Sequence, residues 1–208
     1  MASMEDLFGA FTPGLSPFRV KGNVYVNVLA SYDVRVPGGA KAVFARIEEP
    51  ALRAFFEQRI SERSTYDLLP LIAMSRVAAR IAELPWHDFV RAGAAYQSEL
   101  DSRGVYRLFL KIASPRMVVE RLPRILLQYL TFGAVEGAFT TSTCYEAWVR
   151  GMPEPILPWF QAMVEGFVPT ILGFTTAKDV AVTLLSSEPD GAQGDMALLK
   201  GRFRVTWR

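Results

Sequence analysis

The chain has 208 residues, enough for one ordinary domain with a sizeable core. Half of its residues are hydrophobic and 21% are charged, a balance that excludes the disordered class. The formal charge of +2 is nearly neutral for this size and speaks against a general nucleic-acid binder.

Residues 1–17, with Pro13, Gly14 and Pro17, read as a flexible arm ahead of a single domain over residues 18–208. The start, MASMEDLFGAFTPGLSPF, has two early acids and no basic n-region, so no signal peptide is expected. No window approaches the ~18 uninterrupted apolar residues that a membrane span needs. Cys144 stands alone, so no internal disulfide forms, and no Cys/His cluster suits zinc. These features fit a cytoplasmic protein.

Residues 18–133 carry helical periodicity. The stretches GGAKAVFARI and PALRAFFEQRI are short helices. In LLPLIAMSRVAARIAEL, Leu69, Ala73, Val77, Ile81 and Leu84 form one stripe, with Arg76, Arg80 and Glu83 turned away. Pro85 opens the next helix, PWHDFVRAGAAYQSEL. Its small residues Ala92, Gly93, Ala94 and Ala95 allow a neighbouring helix to approach closely. In RGVYRLFLKIA, Val105, Leu108, Phe109 and Ile112 share one face, while Arg103, Arg107 and Lys111 line another. Ser114-Pro115 is a cap followed by a first-turn proline, and Pro123 is expected to kink or divide the helix that starts there. With Arg116, Arg121 and Arg124, six basic residues face Glu120 alone across this region. They read as a solvated face, with a surface for an acidic partner or an anionic ligand as the alternative.

Residues 134–208 carry strand signals. VEGAFTTST is rich in threonine, and CYEAWVRG has aromatics at alternate positions. PEPILPWFQAMVEGFVPTILGF reads as a helix begun by prolines and ending near Val168, because Pro169 follows. KDVAVTLLSS and ALLKGRFRVTW are strands, separated by the turn-forming SEPDGAQGD. In the last strand Phe203, Val205 and Trp207 alternate with Arg202, Arg204 and Thr206. The resulting class is α+β, a helical N-terminal half followed by a β-β-α-β-β antiparallel sheet.

No organised catalytic constellation is visible, so no enzyme activity is expected. His87 and Asp88 are adjacent on a helix and point about 100° apart, which does not make a pair. No Gly-x-Ser-x-Gly elbow accompanies them, and GAQGD lacks the lysine and hydroxyl residue of a phosphate-binding loop. Cys144 reads as a small strand residue.

At AYQSELDSRGVYRLFLKIASPRMVVERLPRILLQY the chain resembles a large paralogous family of myxobacterial proteins whose domain has no assigned function. Matching segments are RVKGNVYVNVLA, STYDLLPLIAMSRVAARIAE, GVYRLFLKIASP and GRFRVTW, spread over residues 18–208. In layout that family is similar to heme-nitric-oxide/oxygen-binding, vinyl-reductase-like and TRAPP-like domains. The resemblance implies a small-molecule pocket between a helical half and a sheet, or the same fold used for dimerisation. Heme is not expected, because residues 115–130 lack the proximal histidine and YQSEL lacks the arginine of the propionate-holding motif. A metal site is not expected either, because the final hairpin lacks cysteine.

Two functional expectations follow. The first is a non-catalytic, regulatory binding module in signalling, with an apolar pocket between the halves. Its ligand-binding residues would be Tyr25, Phe44, Trp86, Tyr106, Phe109, Tyr129, Phe132 and Trp159, and a protein partner would read its occupancy. The alternative is an interaction scaffold without a ligand, a homodimer formed through the small-residue helix or an exposed strand.

Overall fold

The computed structural model describes residues 7–102 and 110–208. It begins with residues that are anchored rather than loose. Leu7 is fully buried and Phe8 is 5% exposed, and the Asp67 carboxylate accepts from the backbone N–H groups of Gly14 (2.9 Å) and Ser16 (3.1 Å) and from the Ser16 hydroxyl. The expectation of a flexible arm therefore does not describe residues 7–17: two apolar side chains and a buried carboxylate hold them down.

Strand β1 (Arg19–Lys21) pairs antiparallel with β2 (Thr65–Asp67), a small sheet that the sequence pattern did not reveal. Between them lie α1 (Gly22–Arg35), α2 (Gly39–Ala45) and α3 (Pro50–Glu57). Helix α1 starts on Gly22 because a side chain there would sit 1.9 Å from the Ser61 carbonyl oxygen. Next comes α4 (Leu69–Ile81), started by the Asp67 carboxylate on the Leu69 N–H at 2.9 Å. The predicted stripe is inward at Leu69, Ala73 and Val77, but Leu71, Ile72, Met74 and Ala78 are buried as well. This helix is enclosed on nearly every side, and Leu84 beyond it is 47% exposed.

Helix α5 (Trp86–Asp101) begins directly after Pro85, and α6 (Pro115–Leu127) begins at the predicted cap, where Ser114 Oγ accepts from the Met117 N–H at 3.2 Å. Lys111, Arg116, Arg121 and Arg124 are exposed, as a largely solvated face requires; Arg103 and Arg107 lie outside the described residues. Pro123 does not divide α6. It stands within the last two turns, and burial of Val118, Val119 and Leu122 holds the helix across the missing hydrogen bond.

The larger sheet contains β3 (Ala134–Thr141), β4 (Cys144–Pro153), β5 (Ala181–Gln193) and β6 (Met196–Thr206), all antiparallel in the order β3-β4-β6-β5. Helix α7 (Leu157–Leu172) connects β4 to β5 and gives the expected β-β-α-β-β order. It runs past Val168 and through Pro169, because Val168, Ile171 and Leu172 are buried and their packing outweighs one lost bond. Strand β5 likewise extends through Pro189, with register shifts at Leu184/Ser186 and Pro189/Ala192, so the actual turn is only Gly194-Asp195. The inner face of the sheet carries Tyr145, Val149, Phe203 and Val205 against α6 and α7, with Arg202 and Arg204 outward as the alternation demands.

Candidate functional site

Helix α7 has two working faces. Phe160, Val164 and Val168, spaced by four, look toward the sheet, where Phe160 meets Phe203 edge to face at 5.7 Å. Trp159, Met163 and Phe167, one position earlier, look toward α5 and α1. At Gly166 the α5 backbone comes very close: a Cβ there would lie 2.0 Å from the Arg91 carbonyl oxygen and 3.1 Å from Ala94 Cβ. Ala94 of the small-residue run on α5 is thus used inside the chain, by α7.

Beside this crossing α1, α5, α7 and the end of α6 do not fill the space between them. A cavity of about 150 Å³ remains. Its walls are Val24, Val28 and Leu71 on one side, Phe89, Val90 and Ala94 on another, and Met163 and Phe167 on a third. Leu126, Tyr129 and Leu130 close it, brought there by hydrogen bonds that tie residues 129–131 to β1: Lys21 N–H donates to the Tyr129 carbonyl at 2.9 Å, and Thr131 N–H to the Arg19 carbonyl at 3.0 Å.

Several polar groups in this lining have partners within the chain. Ser31 Oγ donates to the Val28 carbonyl at 2.7 Å; Ser75 Oγ donates to the Ile72 carbonyl at 2.7 Å and accepts from Trp86 Nε1 at 2.8 Å. Gln97 Nε2 donates to Asp101 Oδ1 at 2.7 Å, and burial still holds the Asp101 carboxyl above its ordinary pKa. Each of these groups has a partner. Tyr32 and Arg35 are different. The Tyr32 hydroxyl, on a side chain 1% exposed, has no hydrogen-bond partner among the described residues, and burial raises its pKa. Arg35 lies over the Phe89 ring at 4.6 Å and donates one Nη to the Phe89 carbonyl at 2.7 Å. It has no carboxylate partner among the described residues, and desolvation lowers its pKa. Gly93 makes room for it: a Cβ at that position would stand 2.4 Å from an Arg35 Nη.

Of the aromatic residues singled out in the sequence, Tyr129 and Trp159 line this cavity. Tyr25 packs instead against Phe55, Phe56 and Tyr66 and donates its hydroxyl to the Asp67 carbonyl. Phe44 lies tilted against Phe56 at 5.4 Å, and Phe132 meets Phe18 edge to face at 5.4 Å. Trp86 is tied to Ser75, with Arg76 over its ring at 5.2 Å. Tyr106 and Phe109 lie outside the described residues. The cavity lies between the helical half and α7, which is the part of residues 134–208 that walls it; the strands of the large sheet do not. A second, smaller void of about 40 Å³ lies between α6, α7 and the sheet, lined by apolar side chains.

No family model matches the sequence, and no curated protein matches it. Solved structures do. A mutant of the T. tengcongensis H-NOX is 10% identical with a TM-score of 0.64, over 90% of this chain and 97% of that one. The Fe(II) unliganded H-NOX protein from K. algicida is 10% identical with a TM-score of 0.60, over 90% and 96%. An oxygen-binding H-NOX domain related to soluble guanylate cyclases is 10% identical with a TM-score of 0.63, over 90% and 95%. The chain therefore has the H-NOX fold, and at this identity the likeness is one of fold.

Heme is the group this fold implies, since a further neighbour concerns heme distortion in the H-NOX family. The residues around the cavity do not suit it. The one imidazole, His87, belongs to α5 but lies outside the lining, its Nε2 3.1 Å from a Glu165 carboxylate oxygen. Met163 and Tyr129 are the lining side chains with atoms best able to ligate iron. A space of about 150 Å³ matches one that takes benzene, well below the roughly 300–1,000 Å³ of drug-sized sites. Among the described residues no group of His, Cys, Asp or Glu is arranged to hold a metal ion. No helix among them is long and apolar enough to cross a membrane.

Proposed function

We propose that the chain is a small-molecule-binding module that works by occupancy rather than catalysis, most simply as a sensor in a signalling chain. The observation that carries this reading is the cavity beside α7: apolar walls of about benzene's dimensions, with a few polar groups in the lining. Binding would reorder Trp159, Met163 and Phe167, and the opposite face of the same helix would pass the change to the sheet. A cytoplasmic setting and a protein partner that reads the sheet belong to the same proposal. The scaffold alternative draws no support from Gly93 and Ala94 of α5, which Arg35 and α7 already cover.

An NMR titration of the full chain with toluene tests it. Saturable shifts should cluster at Val28, Phe89, Met163 and Phe167, and Val28→Phe, which fills the cavity from α1, should remove them. Shifts scattered over the surface, or unchanged in Val28→Phe, would overturn the reading.

A further inference from the structure

The cavity has a chemical polarity that an apolar void lacks. Tyr32 and Arg35 are three residues apart on α1 and so share a face. Both belong to the cavity lining, the Tyr32 hydroxyl itself covered, and Phe89 lies beside both, its ring 5.8 Å from that of Tyr32. Among the described residues one is a buried donor with no acceptor, and the other is a half-buried cation without a counter-charge. Leaving a buried polar group unmatched is costly, and leaving a cation half-desolvated is costlier. A single carboxylate would satisfy both, accepting from the Tyr32 hydroxyl with one oxygen and from the remaining guanidinium N–H groups with the other. Asp101, the acidic group in the lining, is already engaged by Gln97 and does not meet Arg35.

Resting on the reading of the cavity as a ligand site, we propose that it takes small carboxylic acids with a compact aromatic or branched aliphatic body, the carboxylate held by Tyr32 and Arg35. The apolar walls set the size of the body, close to one six-membered ring. Phe89 supports the head group: its ring and carbonyl fix the guanidinium plane, so little side-chain freedom is lost on binding. Gly93 is part of the same device, since the guanidinium occupies the space a larger residue would fill.

Benzoate and toluene differ in the head group alone and separate the two layers of the idea. Calorimetric or NMR titration of the wild-type chain should give benzoate an affinity roughly tenfold or more above that of toluene, the scale of charge-assisted hydrogen bonds. Arg35→Met should erase that preference while toluene binding persists, which also shows that the variant is folded. Tyr32→Phe should lower benzoate affinity roughly tenfold and spare toluene. Gly93→Ala, which displaces the guanidinium without removing it, should behave like Arg35→Met. If toluene binds as well as benzoate, or if the preference survives in all three variants, the head-group assignment falls and the cavity remains a ligand site. If neither probe binds, both readings fall.

Discussion

At Tyr32 the folded chain keeps a hydroxyl where a hydrogen would be cheaper. A buried donor without an acceptor costs about 1–3 kcal/mol relative to its hydrated state, and Tyr32→Phe removes the group while keeping the ring that packs on Phe89. Urea unfolding without ligand should therefore show Tyr32→Phe to be more stable than wild type, by about 1 kcal/mol. A loss of stability would mean that the hydroxyl is satisfied in the folded state. The same residue shows why the site was hard to read from sequence. Aromatic residues are cheap to identify and poor at telling core from cavity: Tyr25, Phe44 and Phe132 pack in or against the core, while Tyr129 and Trp159 line the cavity. The informative pair, Tyr32 and Arg35, gains its meaning only when residues 22–35 form a helix. There Val24, Val26 and Val28 alternate as they would in a strand, and tertiary packing at Gly22 and Tyr25 overrides that pattern.

Among the elements, α5 and α7 hold the module together, and their contact was half visible beforehand. The run Ala92-Gly93-Ala94-Ala95 announced a close neighbour, but its matching residue, Gly166, sits in a helix otherwise full of large side chains. Gly166→Ala places a methyl against the Arg91 carbonyl, which is backbone and cannot swing aside. It should destabilise the fold by about 2–3 kcal/mol despite alanine's better helix propensity, and thermal or urea unfolding would show it. An unchanged midpoint would mean that the two helices sit further apart than this. The prolines teach the converse lesson. Local rules place breaks at Pro123 and Pro169, yet both helices continue, because burial on their apolar faces exceeds the loss of one hydrogen bond each. Ser114 and Phe203/Val205 were legible because cap chemistry and strand alternation are local and act without help from the rest of the fold.

For the molecule as a whole, the sheet is the surface to which α7 would transmit, and charge fastens its outer side. Glu146 on β4 is only 3% exposed and accepts from Nε of both Arg202 and Arg204 at 3.0 Å, as well as from an Nη of each. Those hydrogen bonds hold its carboxyl below the usual carboxylate range, against the opposing effect of desolvation. Asp190 is lowered too, by the Gly151 N–H at 2.8 Å and by Arg150. A group whose folded pKa is depressed stabilises the fold above its unfolded value and loses that contribution as pH falls through the folded one. Asp101 has the opposite sign. Its folded pKa is raised, so the folded state binds the extra proton just above the unfolded pKa, and stability from this group declines as pH rises there. Two depressed groups against one raised group give a net loss of stability on acidification below the ordinary carboxylate range of about 4. Urea midpoints measured at successive pH values should fall through that window. In Glu146→Gln the fall should be shallower, because the neutral amide cannot titrate, although the midpoint at neutral pH drops. An equally steep acid limb in that variant would remove Glu146 from the account and leave Asp190, tested the same way by Asp190→Asn, as its source.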